Sequence, residues 1–504
     1  MTRIRFWIPI LLAFFSVVGF SGWTALSPHS ERAYWFTRAP TGYEELADAF
    51  LHGRLSMTEQ PKPELLALQD PYDPIANASF RHHDWVLYKG KYFLQQSPLP
   101  ALLLFVPASV LGLPMNGSLA CILLGSTLLM LLFALLSRVV PNFRSQSPTR
   151  YGLLLLLLGF GSYTPILLRR PAAYEVAILM GSTFAALSML LYMQFQLSDK
   201  RKVIWASMSV LASLFSFWSR PSFIFVPILI TGFIVFDSRK NLRRIFYAIS
   251  TPLVAVATAM GSYNYLRFGS LSEFGSQYQL AGFKTEKFSP KWIIPKLQSD
   301  FLAHRFFGFF PWTTTGDSPF TMPPGYRIEQ NLGLLIAMPW AVIVCIISWQ
   351  KRQFLLNKLN NSYQILFIAA LIAVSSWILQ LLVVAGTTSR YLGDFAPFFL
   401  LVVLSLLLSM ESSHLYLNLN FGYISAFALF ILTFQNQLWS LTSLGLLLVF
   451  LFLHSRTIVI KIKSNYLLFL GTVWTVGIVG LTSLTVQGFD QLNLLPPGFN
   501  WWER

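Results

Sequence analysis

Charge is what this 504-residue sequence has least of: 12% of its residues are Asp, Glu, Lys or Arg, against about 25% in soluble domains. So little charge cannot clothe a soluble globule, which excludes a string of soluble domains of about 150 residues each. Cysteine is nearly absent. Cys121 and Cys345 are the only two, so a disulfide-stapled secreted module is excluded, and both lie inside apolar runs as space-filling residues. No repeat, Gly/Ser linker or low-complexity tract divides the chain. Acidic residues are scarcer than basic ones, 21 against 37, for a net charge of +16. In a soluble protein that excess would suggest nucleic acid or anionic lipid. In a membrane chain it is first a topology signal, and no nucleic-acid partner is expected.

What the sequence does have is apolar residues, 54% of the total, with a mean hydropathy of +0.56. About 20 consecutive apolar residues span a bilayer. Such runs lie near 6–25, 98–113, 118–136, 151–168, 172–195, 203–218, 222–236, 245–263, 332–349, 363–386, 394–410, 420–434, 438–454 and 464–483. The first follows Arg3 and Arg5 and outruns a signal-peptide core, so it reads as a retained span with a cytoplasmic N-terminus.

Basic clusters sit at Arg138/Arg144/Arg150, Lys200/Arg201/Lys202, Arg239/Lys240/Arg243/Arg244, Lys351/Arg352/Lys358 and Arg456/Lys461/Lys463. An even number of runs separates each from the next, so all five can face the cytoplasm. Keeping Arg3 and Arg5 on that side allows one crossing before Arg138, where two runs lie. The run at 98–113 opens with Pro98-Leu99-Pro100. Its 16 residues would rise about 24 Å, short of the roughly 30 Å hydrocarbon core. It is therefore assigned to the outer interface, leaving about thirteen spans.

The expected fold class is an all-α polytopic membrane protein with juxtamembrane helices in a long first outer loop. Residues 1–504 read as one membrane domain. Residues 26–97 form the first large outer loop, 98–113 a juxtamembrane helix, and 264–331 the second large outer loop. Residues 394–504 carry the last spans and an outer tail from about Gln487, with Trp501-Trp502. Nine of the 21 acidic residues fall in the first loop.

In that loop Tyr43, Leu46, Ala47, Phe50 and Leu51 recur at the spacing of an amphipathic helix. Thr41 stands at the N-cap position, with Glu44 three residues on as capping-box partner. Glu45 and Asp48 share another face, where two carboxylates can bind a cation or a hydroxyl or simply be solvated. Asp70-Pro71-Tyr72-Asp73-Pro74 is turn-rich. His82-His83-Asp84-Trp85 then leads into Val86-Leu87-Tyr88-Lys89-Gly90-Lys91-Tyr92-Phe93. Asp84 lies among aromatics, where burial raises and a nearby cation lowers a carboxyl pKa, and either suits a base.

Short outer turns carry arginines against the positive-inside trend. They are Arg169 and Arg170, followed by Pro171, Tyr174 and Glu175; Arg220 before Pro221; Arg267 in Asn264-Tyr265-Leu266-Arg267-Phe268-Gly269; and Arg390 before Tyr391 and Asp394. Interfacial snorkelling explains any one of them. Four such sites on one face suit a phosphate or pyrophosphate held at the membrane surface. Glu175 and Asp394 would orient those arginines by ion pairing.

With these residues in hand, the N-terminal span and the loop pattern Tyr43, Ala47, Leu51, Gly53 resemble the opening of polyprenyl-phosphate-dependent GT-C glycosyltransferases. The chain is similar to glycosyltransferase family 39, which includes protein O-mannosyltransferases and the lipid A aminoarabinose transferase, and to uncharacterised bacterial relatives. Pro98-Leu99 matches the Pro-Leu segment that begins a juxtamembrane helix there. Further matches are Asp84-x-x-Leu87-Tyr88-x-Gly90-Lys91-Tyr92, Arg170-Pro171-x-x-Tyr174-Glu175, Asn264-Tyr265-x-Arg267-Phe268-Gly269 and Arg390-Tyr391-x-x-Asp394. The resemblance covers roughly residues 1–400 and implies a GT-C-like helical bundle.

Family members place an acid just before the Tyr-containing helix, as base or metal partner. Here the stretch reads Phe36-Thr37-Arg38-Ala39-Pro40-Thr41-Gly42. The role moves to Glu44, Glu45, Asp48 or Asp84, with Asp84 the first choice. A divalent cation is the one cofactor the resemblance brings into question.

The reaction implied is inverting transfer of a sugar from a polyprenyl-phosphate donor to a hydroxyl of a glycan, lipid or protein acceptor, at the outer face of a bacterial inner membrane. Asp84, with Glu45 and Asp48, would serve the acceptor. Arg170, Arg220, Arg267 and Arg390 would hold the donor phosphate. Tyr174, Glu175, Asn264, Tyr391 and Asp394 would support them. The rivals are a flippase or transporter of lipid-linked glycans, against which the lack of repeats and of midspan polar residues argues, and an inactive scaffold that binds a lipid-linked glycan. A reporter fused near residue 115 is expected to report the outer side. A cytoplasmic signal there would overturn the thirteen-span topology.

Overall fold

The computed structural model describes residues 3–26, 41–82, 85–141, 143–239, 242–280, 293–303, 305–306, 313–314, 327–328, 331–359, 362–383, 386–410, 415–420, 457–462 and 464–484. The fold is predominantly helical, as the hydropathy pattern predicts. In chain order come α1 (Arg3–Leu26), α2 (Tyr43–Leu51), α3 (Pro63–Leu66), strands β1 (Trp85–Tyr88) and β2 (Lys91–Leu94), α4 (Val106–Val110) and α5 (Gly117–Val139). They are followed by α6 (Pro148–Gly161), α7 (Thr164–Leu167), α8 (Ala173–Leu197), α9 (Lys202–Ser219), α10 (Phe225–Asp237) and α11 (Leu242–Phe268). After these lie α12 (Ile293–Leu302), α13 (Leu334–Ala337), α14 (Pro339–Gln350), α15 (Arg352–Lys358), α16 (Tyr363–Val383), α17 (Ser389–Leu392), α18 (Ala396–Ser409) and α19 (Ser464–Leu484).

Among the described residues, seven helices are long and apolar enough to cross a membrane, and five shorter apolar ones accompany them. The expected runs near 420–434 and 438–454 and the tail from Gln487 lie outside the described residues. Each of the other runs falls on helix, with breaks the hydropathy did not show. The run at 332–349 is interrupted at Met338, which leaves α14 with 12 residues. The run at 151–168 bends at Tyr163, whose φ is +63°.

The run at 98–113 is shorter still. A turn of π-helix over Ala101–Phe105 precedes α4. Together they form an apolar helix over Ala101–Val110, which rises about 15 Å at 1.5 Å per residue. Gly112, at φ +66°, ends it, as a left-handed residue ends a helix.

The contacts group into two compact units, although the sequence shows no boundary. One comprises Ser21–Leu131 and Leu167–Glu286, the other Met1–Phe20, Leu132–Ile166 and Lys287–Thr485, among the described residues. In the first unit, serine hydroxyls bridge helices: Ser216 Oγ donates to Gly181 O at 2.8 Å and Ser209 Oγ to Ser188 O at 2.8 Å, joining α9 to α8. Ser207 Oγ joins α9 to α11 at Ala248 O, also at 2.8 Å. Such bonds satisfy hydroxyls that hydrocarbon would leave bare. In the second unit, Gly159 lies so close to Val17 that a Cβ would fall 2.5 Å from its Cγ1. This brings α6 against α1. Trp340 Nε1 donates to Thr475 Oγ1 at 3.0 Å and holds α14 to α19.

Gly117 opens α5 in the tightest space of the first unit. A Cβ there would lie 2.3 Å from Pro171 O and 2.3 Å from Thr41 Cγ2. Gly117→Ala is expected to destabilise that unit by about 1–3 kcal/mol through overpacking. The readout is the melting temperature of the purified protein, and an unchanged value would refute this packing.

Candidate functional site

The motifs that lie in the first unit form a structure around the end of α11. Tyr88-Lys89-Gly90-Lys91 is a two-residue hairpin turn, with φ +48° at Lys89 and +71° at Gly90, the geometry that matches strand twist. The matched residues Leu87, Tyr88, Gly90, Lys91 and Tyr92 thus form one β-hairpin. Val86, Phe93 and Phe268 bury together, and Leu55, Tyr88 and Tyr278 pack on them. Tyr88 donates through its hydroxyl to Phe268 O at 3.0 Å.

Arg267 ties the hairpin to α11. Its Nη1 donates to Leu94 O at 3.0 Å and its Nη2 to Asn264 Oδ1 at 3.0 Å. The guanidinium lies 3.9 Å from the ring centre of Tyr263 and 4.5 Å from that of Phe268, in range for cation–π attraction. Asn264 donates onward to Leu271 O at 3.3 Å. Gly269 closes α11 at φ +70°. Arg267 is 5% exposed, so its first role is to clamp the loop onto the membrane helix.

Helix α2 lies in the same unit. Tyr43, Leu46 and Ala47 are buried as the periodicity predicts, whereas Ala49 is buried and Leu51 is 47% exposed. All five expected residues are helical, but at the end of α2 Phe50 is only half-buried and Leu51 faces away from the packed side. Glu44 Oε2 accepts from Thr41 N at 2.7 Å and Thr41 Oγ1 at 2.6 Å, so the expected pair meets, but the N-cap of α2 is Gly42, not Thr41, and no side chain caps it. Burial raises the Glu44 carboxyl above its usual range, and its bonds to Thr41 oppose the rise.

Glu45 and Asp48 have different surroundings. Asp48 is exposed and accepts from Arg54 Nη2 at 3.2 Å and Thr58 Oγ1 at 3.3 Å. Glu45 has a buried Oε2 with no hydrogen-bond partner among the described residues. Burial, then the nearby Glu59, raises its pKa, and His82 opposes them. His82 itself meets Glu59 Oε1 at 2.6 Å and stacks on Trp85 with ring centres 4.2 Å apart. Asp84, the first choice as base, lies outside the described residues.

Tyr43 brings the cluster together. It is fully buried, its ring centre is 5.6 Å from that of Phe105, and its hydroxyl lacks a partner among the described residues. Tyr263, Arg220, Cys121 and Tyr174 all lie within its electrostatic reach. Burial pushes the phenol well above its ordinary pKa, against the pull of Arg220. The Tyr263 hydroxyl is also buried without a partner among the described residues. Unsatisfied buried hydroxyls demand an explanation, and a ligand is one. Glu175 is buried, accepts from Ala172 N at 3.2 Å and caps α8 beside Arg170 and Pro171. Arg169 is buried and Arg170 half-buried.

Arg390, Tyr391 and Asp394 belong to the second unit, with partners the sequence did not announce. Gln380 donates to Asp394 Oδ2. Lys296 Nζ donates to Gln380 O at 3.0 Å and lies 5.1 Å from the Tyr391 ring centre. Asp300 Oδ2 accepts from Trp377 Nε1 at 3.0 Å, and Ser389 Oγ donates to Asn331 Oδ1 at 2.7 Å. Lys296 and Asp300, four residues apart, were a legible helical pair. Asn331 and Ser389 carry no local signal.

Among the described residues, no group of three or more His, Cys, Asp or Glu can hold a metal ion. The donor set for a divalent cation is therefore not found there.

No family model and no curated protein matches the chain. Among solved structures it is similar to the oligosaccharyltransferase of Archaeoglobus fulgidus in its apo form, at 12% identity and a TM-score of 0.41, over 92% of this chain and 56% of that one. The same enzyme tethered through a disulfide to an acceptor peptide containing the NVT sequon matches at 12% identity and a TM-score of 0.43, over 92% and 55%. The chain thus spans about half the length of that enzyme.

The raised Glu45 pKa has a definite consequence for pH. A carboxyl that holds its proton more tightly when folded loses stability as pH rises from its unfolded value, about 4.3, through its folded value. Glu45→Gln is expected to flatten that decline. Melting curves across this range check it, and identical slopes for both proteins would refute the assignment.

Proposed function

We propose that the chain is a membrane glycosyltransferase of the GT-C type, moving a sugar from a polyprenyl-phosphate donor to an acceptor hydroxyl at the outer face of a bacterial inner membrane. One observation carries the reading. Helix α2 of the first outer loop sets the unpartnered Tyr43 hydroxyl within electrostatic reach of Arg220, Tyr174 and Tyr263, and Glu44 and Glu45 lie on the same helix. Carboxylates that serve a hydroxyl and a guanidinium that serves a phosphate are thus carried by neighbouring elements.

In the proposed transfer, the acceptor oxygen attacks the anomeric carbon as the bond from that carbon to the donor phosphate oxygen breaks, with inversion. The acceptor proton passes to a carboxylate, Asp84 or Glu45, and the electron pair of the broken bond leaves on the phosphate. Arg220, with Arg170, stabilises that leaving group electrostatically. Arg267 positions the loop, because both its terminal nitrogens are already engaged. Arg390 and Asp394 are proposed as supports within the second unit. Asp48, bound to Arg54 and Thr58, is an outer-surface residue in this reading.

The engagement of Arg267 also favours a second reading, a scaffold that binds a lipid-linked glycan without turnover. Purified protein reconstituted with labelled polyprenyl-phosphate sugars and candidate acceptors separates the two. Turnover lost in Asp84→Asn or Glu45→Gln and weakened in Arg220→Ala is expected. Donor binding without turnover by the wild type would replace the enzyme with the scaffold.

A further inference from the structure

Helix α12 reverses the usual arrangement of an amphipathic helix. Its polar residues Lys296, Gln298, Ser299 and Asp300 are all buried, at 0%, 4%, 0% and 1% exposure. Ile294 is 62% exposed, and Leu297, one turn along the same face, is half-buried. In water a helix turns its charges outward and its apolar stripe inward. The opposite pattern suits a helix with hydrocarbon outside it and a polar interior behind it.

The packing sets α12 against α16. Lys296 Nζ donates to the main-chain oxygen of Gln380, and Asp300 accepts from the indole of Trp377. Phe301 packs against Trp377 with ring centres 5.4 Å apart. Gln380 and Trp377 both lie on α16, one of the helices long and apolar enough to span. Trp377 stands about 9 Å back from Val383 along the helix axis at 1.5 Å per residue. By the charge pattern Val383 is the outer end of α16, so α12 meets the span well below the membrane surface. Val374, Ile378 and Leu382 of α16 are exposed on its remaining face at 52%, 41% and 37%, as a lipid-facing stripe requires.

We propose that α12 is an interfacial helix set into the outer leaflet, with Ile294 and Leu297 against lipid acyl chains. Lys296 and Asp300 turn into the protein. The second outer loop, which hydropathy assigns wholly to the aqueous side, therefore returns to the bilayer at this helix. Its inward charges are tolerated at that depth because carbonyl, indole and amide groups receive them. An apolar face seated about 5–10 Å into the headgroup and acyl boundary is the known habit of such helices.

The test uses the full chain in phosphatidylethanolamine and phosphatidylglycerol vesicles. Ile294→Cys is made in a Cys345→Ser background and spin-labelled, and collision rates with oxygen and with a water-soluble nickel chelate are compared. Ile378→Cys supplies the lipid reference and Lys62→Cys, on the first outer loop, the aqueous one. The oxygen-to-nickel ratio at Ile294 is expected to match that at Ile378 and to exceed several-fold that at Lys62. A ratio like that of Lys62 would overturn the proposal. So would protection from both probes, which would mean that protein covers the helix. If Ile294→Cys fails to fold, Leu297→Cys on the same face carries the same measurement.

Discussion

Arg267 holds the β1–β2 hairpin against the end of α11, and the rest of the candidate site depends on that attachment. A buried guanidinium is costly to desolvate, and a single missing partner makes it costlier. Here a strand carbonyl and an asparagine oxygen take the two terminal nitrogens and two aromatic faces share the charge, while the buried Nε has no hydrogen-bond partner among the described residues. The carbonyl belongs to Leu94, 173 residues away in the chain. Hence the hairpin, its aromatic cluster and the end of α11 order together. Four residues of the motif Asn264 to Gly269 are explained by this clamp: Asn264 orients the arginine, Arg267 binds the strand, Phe268 receives Tyr88, and Gly269 ends the helix.

That assignment changes the chemistry attached to the outward arginines. Arginines on the outer side looked like one population of anion ligands. Arg267 spends its terminal donors on the protein, while Arg220 enters the field of a buried phenol. The proposed transfer therefore leans more on Arg220 and on the Tyr43 and Tyr263 hydroxyls, which lack partners among the described residues, than on the guanidinium that the motif made most conspicuous. Among the carboxylates, Glu44 holds Thr41 just ahead of α2 and Asp48 faces solvent with Arg54. Glu45 keeps a buried oxygen uncommitted, which is what a proton acceptor needs.

Much of the fold was legible because hydrophobicity and helix length are local properties. The runs at 118–136 and 172–195 were found as α5 and α8, and the short helix at 98–113 betrayed itself by its prolines. The Thr41–Glu44 contact was legible in two residues three apart, although Gly42 takes the N-cap position. The hairpin at Lys89-Gly90 was missed although its signal was present, a glycine between two short strand-like segments. The break at Met338 had a local signal in the Pro339 that follows it, whereas the left-handed backbone of Tyr163 is imposed by its neighbours.

The positions of the membrane helices were thus determined by the sequence alone, since burying about 20 apolar residues in hydrocarbon outweighs any alternative for such a segment. Which polar residues meet was decided only in the tertiary structure. Asn331 and Ser389 lie 58 residues apart and Arg267 and Leu94 173 apart. The inward turn of Lys296 and Asp300 likewise depends on Gln380 and Trp377. A polar group in a membrane protein takes whatever partner the packing brings within about 3 Å, and that choice is made by the fold as a whole.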